Sequence, residues 1–347
     1  MHSLRYGGVS TVVSGLAEGL SSEFNSYVYV LKSAKNEVKI NKARVIKSSI
    51  NSKFILSSLK EFISIIDKYQ INIVHFQAYP FFMCYAFVVK LYRPRVKIIF
   101  HLHAYLSNGD SFYERVLLRL MVFIFKNSVS RFITVSNSQR SEFIDLCRID
   151  SSKIIAIHNF VKILPNIKSG NKLNRNFTVG FAGRIIKTKG WEEFVNLAIL
   201  LKNDNRFQFK IAGDGKDYKK LVNLISSNNL TNIKSLGYIK NIDLFYDSID
   251  CLVLPSYFET MGLTALEAQA NGVPVICSNI PGLDEVTSNG INVLTFNIKN
   301  IEQMKKNIIM IYTDLDIRRK LIMNGQKNVS QYTIKNYIQQ IVKIYNL

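Results

Sequence analysis

Glu259 and Glu267, with seven residues between them, are the acidic side chains whose setting most strongly implies a ligand. Both are ionised acceptors that hydroxyl groups satisfy well. Far earlier in the chain, Arg184 and Lys189 flank Ile185-Ile186-Lys187-Thr188. A guanidinium grips phosphate oxygens in pairs and an ammonium adds a point charge, so these two suit a diphosphate. Lys187 reads as a solvated neighbour. Near the start, Gly7-Gly8 runs into Val9-Ser10-Thr11, a glycine turn whose backbone amides can approach an anion closely. Taken together, these residue types call for a ligand that carries both phosphates and many hydroxyls.

These side chains need a scaffold, and the hydrophobic pattern supplies one. The stretch from Leu254 to Val286, LPSYFETMGLTALEAQANGVPVICSNIPGLDEV, reads as strand, loop, helix, strand. Leu263, Leu266 and Ala270 give the helix an apolar stripe, and Gly272 and Pro274 end it. Glu259 then lies in the loop after a strand, and Glu267 in the first turns of the helix. In an open parallel sheet that is where ligands bind. Phe177–Ala182 reads as a strand running into Gly183-Arg184, with a helix over Trp191–Leu201. A strand over Phe209–Ala212 leads to Gly213-Asp214-Gly215, which lacks the third glycine of a dinucleotide fingerprint.

The front half alternates in the same way. Strands are predicted at Ser26–Leu31, Val45–Ile46, Ile71–Phe76, Val96–Leu102 and Phe132–Ser136, and helices at Lys53–Tyr69, Tyr79–Tyr92 and Ser138–Leu146. Alternating strands and helices signal parallel sheets covered on both faces. Only about six residues precede the first glycine turn, too few for a normal strand plus its turn. The front domain is therefore expected to lack its first strand. Phe112–Lys126 is a helix whose apolar positions nearly encircle it, broken by Arg115 and Arg119. Interfacial and buried helices both look like this, and a partly buried helix is the favoured reading.

At 347 residues with 48% hydrophobic content, the chain can fill about two globular domains. Cys84, Cys147, Cys251 and Cys277 are scattered and read as reduced core thiols. The formal net charge of +20 suits phosphorylated substrates or anionic lipid. It is spread along the chain, with more in the front half, and no nucleic-acid-binding motif accompanies it. No signal peptide or membrane span is read from the sequence. Asp314 and Asp316 form an Asp-x-Asp pair, a metal-holding pattern elsewhere, but helix capping explains them here and no metal is expected.

The segment PSYFETMGLTALEAQANGVPVICSNIPGLDEV resembles the donor-site signature of retaining GT-B glycosyltransferases of family 4, and GRIIKTKGW is similar to that family's phosphate-binding segment. The resemblance implies two Rossmann-like doubly wound domains facing a cleft: 1–165 for the acceptor, a linker at 166–176, 177–330 for the nucleotide sugar, and a helix in 331–347 crossing back. It assigns donor-sugar hydroxyls to Glu259, ribose hydroxyls to Glu267, and the diphosphate to Arg184, Lys189 and the Gly7-Gly8 turn. Gly262 and Leu263 belong to the same donor segment, and Tyr238 borders the nucleobase. His103, at the end of its strand, would donate to the sugar. His101 and His75 are read as structural.

The implied activity is metal-independent, retaining hexosyl transfer without a cofactor, from a nucleotide sugar, expected to be a UDP-sugar, to a glycan or lipid-linked acceptor in bacterial-type surface polysaccharide assembly. The basic, aromatic front half implies peripheral contact with an anionic membrane, on its cytoplasmic face, and no nucleic acid partner. The alternatives are a nucleotide-sugar epimerase or phosphorylase of the same fold, or a catalytically impaired nucleotide-sugar-binding protein.

Overall fold

The computed structural model describes residues 8–31, 37–49, 55–77, 82–106, 112–163 and 176–347. They divide into two compact units, one of 1–160 with 334–347 and one of 161–333. Gly7 and most of the expected linker lie outside the described residues, as does any strand ahead of Gly8.

The first unit opens with α1 (Gly8–Leu20) and continues β1 (Tyr27–Val30), β2 (Arg44–Lys47), α2 (Ile55–Lys68), β3 (Ile73–Gln77), α3 (Met83–Tyr92), β4 (Lys97–Leu102), α4 (Phe112–Phe125), β5 (Arg131–Thr134), α5 (Asn137–Cys147) and β6 (Ile154–Ala156). Among the described residues, β1 and β2 form a two-stranded sheet, and β3-β4-β5-β6 a four-stranded one. All the pairings are parallel. The central strand β4 is buried on both faces except at its first residue, as an apolar run in a covered parallel sheet must be.

The second unit runs β7 (Phe177–Ala182), α6 (Trp191–Leu200), β8 (Phe207–Ala212), α7 (Tyr218–Ser227), β9 (Ile233–Ser235), α8 (Ile242–Asp247), β10 (Cys251–Leu254), α9 (Leu263–Ala270), β11 (Val275–Ser278), β12 (Leu294–Phe296), α10 (Ile301–Thr313) and α11 (Leu315–Val329). The sheet order is β12-β11-β10-β7-β8-β9. Strand order reverses between β7 and β10, which pair directly. This is the topological switch point, where loops leave adjacent strands in opposite directions and open a crevice. The last helix, α12 (Ile334–Asn346), belongs to the first unit. Its Tyr337, Ile338, Ile341 and Ile344 share a core with Val12, Leu16 and Leu20 of α1.

β9 ends at Ser235, and the chain then turns through Gly237 at φ +64. β12 was not anticipated; at three residues it is too short for its pattern to stand out. The expectation of a partly buried helix fits α4 only narrowly, since Leu118 and Val122 are its buried residues. Tyr113, Val116, Leu117, Leu120, Phe123 and Ile124 form an exposed stripe at helical spacing. Arg115 and Arg119, by contrast, are half-buried.

Asp314 does cap α11. Its Oδ1 accepts from the amides of Asp316 and Ile317 at 3.0 and 2.9 Å, the geometry that quiets free N–H groups at a helix start.

Candidate donor site

Glu259 and Lys189 meet. Lys189 Nζ lies 2.7 Å from Glu259 Oε1, with side-chain exposures of 20% and 12%. Ser256 Oγ donates to the same oxygen at 2.8 Å. The loop bearing Lys189 follows β7 and the loop bearing Glu259 follows β10, so the pair stands at the carboxyl ends of the two switch-point strands.

Backbone contacts lock these loops together. Lys187–Lys189 form a short 3-10 turn, and the Tyr257 amide donates to Thr188 O at 2.9 Å. Gly190 has φ +69, and a Cβ there would lie 1.9 Å from Pro255 O. Gly282 has φ +89, and a Cβ would lie 2.1 Å from Glu259 O. At both positions the left-handed backbone and the close approach admit only glycine. The motif's glycines therefore set where the charged pair stands, by letting two loops touch.

Arg184 leaves the same strand end as Lys189 and is exposed. Among the described residues nothing pairs with its guanidinium, so it is available to an anion. Gly262 is the N-cap of α9 and Leu263 its first residue. Amides at such a helix start face outward without intrahelical acceptors, a favourable setting for phosphate.

Glu267 sits one turn into α9 and is half-buried. Its Oε2 accepts from the Tyr246 hydroxyl at 3.0 Å. Burial pushes its carboxyl up to about 7, while the Tyr246 hydrogen bond holds it down and nearby Asp243 adds to the rise. Burial also drives the Tyr246 hydroxyl well above its ordinary value, so it remains a donor. No contact joins Glu267 to Lys189 or Glu259 among the described residues. The two glutamates have separate surroundings, one neutralised by a cation and one held by a phenol. Tyr238 lies beyond β9 and is half-exposed.

His103 belongs to the first unit, where it stacks on His101 with ring centroids 4.4 Å apart. Its Nε2 is 2.5 Å from Gln77 Oε1, which can only accept, so His103 donates through Nε2. Gln77 Nε2 in turn faces His75 Nε2 at 3.1 Å and His101 Nδ1 at 3.3 Å. His75 reaches the Tyr345 hydroxyl at 2.8 Å. Burial holds His103 down to about 4 and His75 to about 3, so both rings are neutral near pH 7. With Nε2 engaged by Gln77, Nδ1 is the ring nitrogen that His103 has left. Sequence reasoning missed Gln77. Its position at the end of an apolar strand, two residues after His75, was the available signal. Gly8 is the exposed first residue of α1.

Comparison with known proteins matches nearly the whole chain. Residues 6–163 fit the family model described as Glycosyltransferase Family 4, and residues 165–328 the model described as Glycosyl transferases group 1. The chain is 27% identical over 221 residues to the uncharacterized glycosyltransferase MJ1178 of Methanocaldococcus jannaschii, covering 58% of this chain and 62% of that one. It is 26% identical over 233 residues to the capsular polysaccharide biosynthesis glycosyltransferase CapM of Staphylococcus aureus, covering 63% and 59%. The match thus spans about three fifths of the length of these two curated relatives. Among solved structures, Anabaena HepE in complex with UDP and glucose matches with a TM-score of 0.84 at 18% identity, covering 100% of this chain and 98% of that one. At that identity the likeness is one of fold.

Proposed function

Because the chain belongs to the group 1, family 4 glycosyltransferases of GT-B fold, we propose that it moves a sugar from a UDP-sugar to a glycan or lipid-linked acceptor in surface polysaccharide assembly. The observation that carries this reading is the Lys189–Glu259 pair at the switch point of the second unit, beside the unpaired Arg184 and the start of α9. The name of CapM supports the polysaccharide context, and the UDP and glucose in HepE support the donor class.

In this reading the second unit holds the donor and the first takes the acceptor. Arg184, Lys189 and the Gly262-Leu263 amides bind the diphosphate, Glu259 the sugar hydroxyls, Glu267 the ribose hydroxyls, and Tyr238 borders the base. Transfer proceeds on one face of the sugar with retention. The bond from the anomeric carbon to the diphosphate oxygen breaks and its electron pair stays on that oxygen. The acceptor oxygen then bonds to the same face and passes its proton to the departing diphosphate. Arg184 and Lys189 stabilise the charge that develops there, the role a divalent metal fills in other sites, and preorganised contacts of this kind often supply most of an enzyme's rate enhancement.

A thermal-shift panel of nucleotide sugars tests the reading, since a bound donor raises the melting temperature. UDP-sugars are expected to raise it, and sugars on other bases to raise it less. Glu267 adds a pH signature. A carboxylate accepts from ribose hydroxyls more strongly than a carboxylic acid does, and this carboxyl ionises near 7. Donor affinity should therefore rise about tenfold from pH 6 to pH 8 as the ionised fraction grows. The donor's esterified diphosphate does not titrate in this window. Glu267→Gln should flatten the profile, and a panel without any UDP-sugar response would refute the assignment.

The α4 surface bears on the acceptor. Its exposed apolar stripe is joined by Phe87, Leu91 and Tyr92 of α3, and Phe87 packs on Phe125 of α4 at 5.4 Å. An apolar stripe of this kind suits docking at the cytoplasmic face of a membrane that holds a lipid-linked acceptor. No helix among the described residues is long and apolar enough to cross a membrane. Because Arg115 and Arg119 are half-buried while the apolar residues are exposed, insertion should outweigh charge. Binding to vesicles of phosphatidylglycerol and phosphatidylcholine should survive high salt, and Leu120→Asp with Phe123→Asp should abolish it. Arg115→Ala with Arg119→Ala should change it little, and the opposite ranking would count against hydrophobic docking.

A further inference from the structure

Glu193 is the third residue of α6, a position from which a glutamate can fold back onto the amide of the helix cap. Here that amide, of Gly190, is taken by Lys187 O at 3.1 Å. The Glu193 carboxylate turns to another donor, and its Oε1 accepts from the Tyr257 hydroxyl. A negative charge is stabilised at a helix start, and Trp191 and Phe194 on either side of Glu193 are buried in the core. Glu193 is therefore a fixed anchor.

Tyr257 belongs to the loop after β10, two residues before Glu259 and next to Ser256, which bonds to Glu259. Burial first, and then the bond to Glu193, raise the phenol well above its ordinary value, so it remains a donor. A hydroxyl bonded to a carboxylate makes one of the stronger hydrogen bonds. Lys299, in the turn between β12 and α10, places its ammonium 5.8 Å from the centre of the Tyr257 ring, within reach of the attraction between a cation and a ring face. The ring is thus held at its hydroxyl by α6 and on its face by the loop after β12.

Two bonds of Tyr257 now join the switch-point loops at a distance from the charged pair. Its amide donates to Thr188 O at 2.9 Å, and its hydroxyl donates to Glu193. One bond alone is a pivot about which two loops can turn. The second, a side chain's length away, removes that rotation. Lys189 lies in the segment between Thr188 and Glu193, so it is fixed from both ends, and its Nζ is kept 2.7 Å from Glu259 Oε1. Small displacements of a group beside a reacting centre cost large factors in rate.

We propose that Tyr257 is a positioning residue of the transfer reaction, clasping Glu193 so that the Lys189 turn and the Glu259 loop keep one spacing through turnover. It acts through Lys189 and makes no contact of its own with the donor. The proposal rests on the donor-site reading and names a residue that reading does not use.

Tyr257→Phe removes one oxygen and keeps the ring and its packing. The assay is UDP release from the UDP-sugar that most raises the melting temperature. In Tyr257→Phe, kcat should fall about tenfold while the donor KM stays within about twofold of native. Glu193→Leu should match it, and Glu193→Gln, which keeps an oxygen acceptor, should recover most of the loss. In the Lys189→Ala background Tyr257→Phe should cost almost nothing more, because residues that act through one another are not additive. Exchange of the amides of residues 190 and 257 should speed about tenfold in Tyr257→Phe, while those of β10 keep their native rates. Native kcat in Tyr257→Phe overturns the proposal, whatever the melting temperature does. So does a loss that persists in full without Lys189, which would place Tyr257 on the donor itself. If the unsubstituted chain turns over no UDP-sugar, the glycosyltransferase reading fails and this proposal with it; equal turnover by the unsubstituted chain and Tyr257→Phe fails this proposal alone.

Discussion

Lys189→Ala should lower kcat by about 10²–10³-fold, the loss seen when one preorganised donor to a developing oxyanion is removed. The effect has two parts. The ammonium no longer reaches the departing diphosphate, and Glu259, now bonded through Ser256 alone among the contacts at its carboxylate, puts an unbalanced negative charge beside that diphosphate. The two positions are therefore coupled, as residues 2.7 Å apart should be. Glu259→Gln should cost less in the Lys189→Ala background than in the native chain. Arg184→Ala should also depress turnover, whereas Lys187→Ala, exposed two residues away, should leave it unchanged. Steady-state rates with circular dichroism on each variant decide the matter. Native turnover by Arg184→Ala and Lys189→Ala would end the proposed mechanism.

The second large effect is on stability. Arg318 of α11 is buried against Asp250, with Nη2 3.4 Å from Oδ1 and side-chain exposures of 10% and 8%. Its guanidinium lies 5.3 Å from the centre of the Phe177 ring, and Asp250 Oδ2 accepts from the Thr178 amide at 2.8 Å. The pair therefore ties α11 to the N-terminal end of β7, the strand that carries the site. Arg318→Met keeps the volume and removes the charge, leaving a buried carboxylate without its cation. Breaking a buried pair from one side costs about 3–5 kcal/mol, so the melting temperature should fall on the order of 10 °C. Arg318→Met with Asp250→Asn should recover most of the loss, because the remaining group is neutral. A shift of only a degree or two in the single variant would show that the pair contributes little.

The sequence marked Asp314 as a helix cap and gave Arg318 no role of its own. The capping part holds, because an N-cap is a local event decided within three residues. The buried role does not show in the sequence, since Asp250 lies 68 positions away. α4 gives a similar lesson. Its composition fitted both a buried and an interfacial helix, and only the packing against α3 and α5 decided which residues face outward.

Sequence alone determined the alternation of strands and helices, the glycosyltransferase family, and which loops leave the carboxyl ends of which strands. Periodicity and glycine placement are written along the chain, and each answers to a steric rule that acts over a few residues. It also marked Lys189, beside Arg184, and Glu259, beside Glu267, as ligand-binding candidates 70 positions apart. Tertiary structure decided the contact of Lys189 with Glu259, the separate phenol-bound setting of Glu267, the Gln77 link beneath His103, and the split of the first unit's strands into two sheets. Each of these depends on where distant segments meet, and burial, which sets both the Glu267 carboxyl and the histidine rings, exists only after the chain has packed.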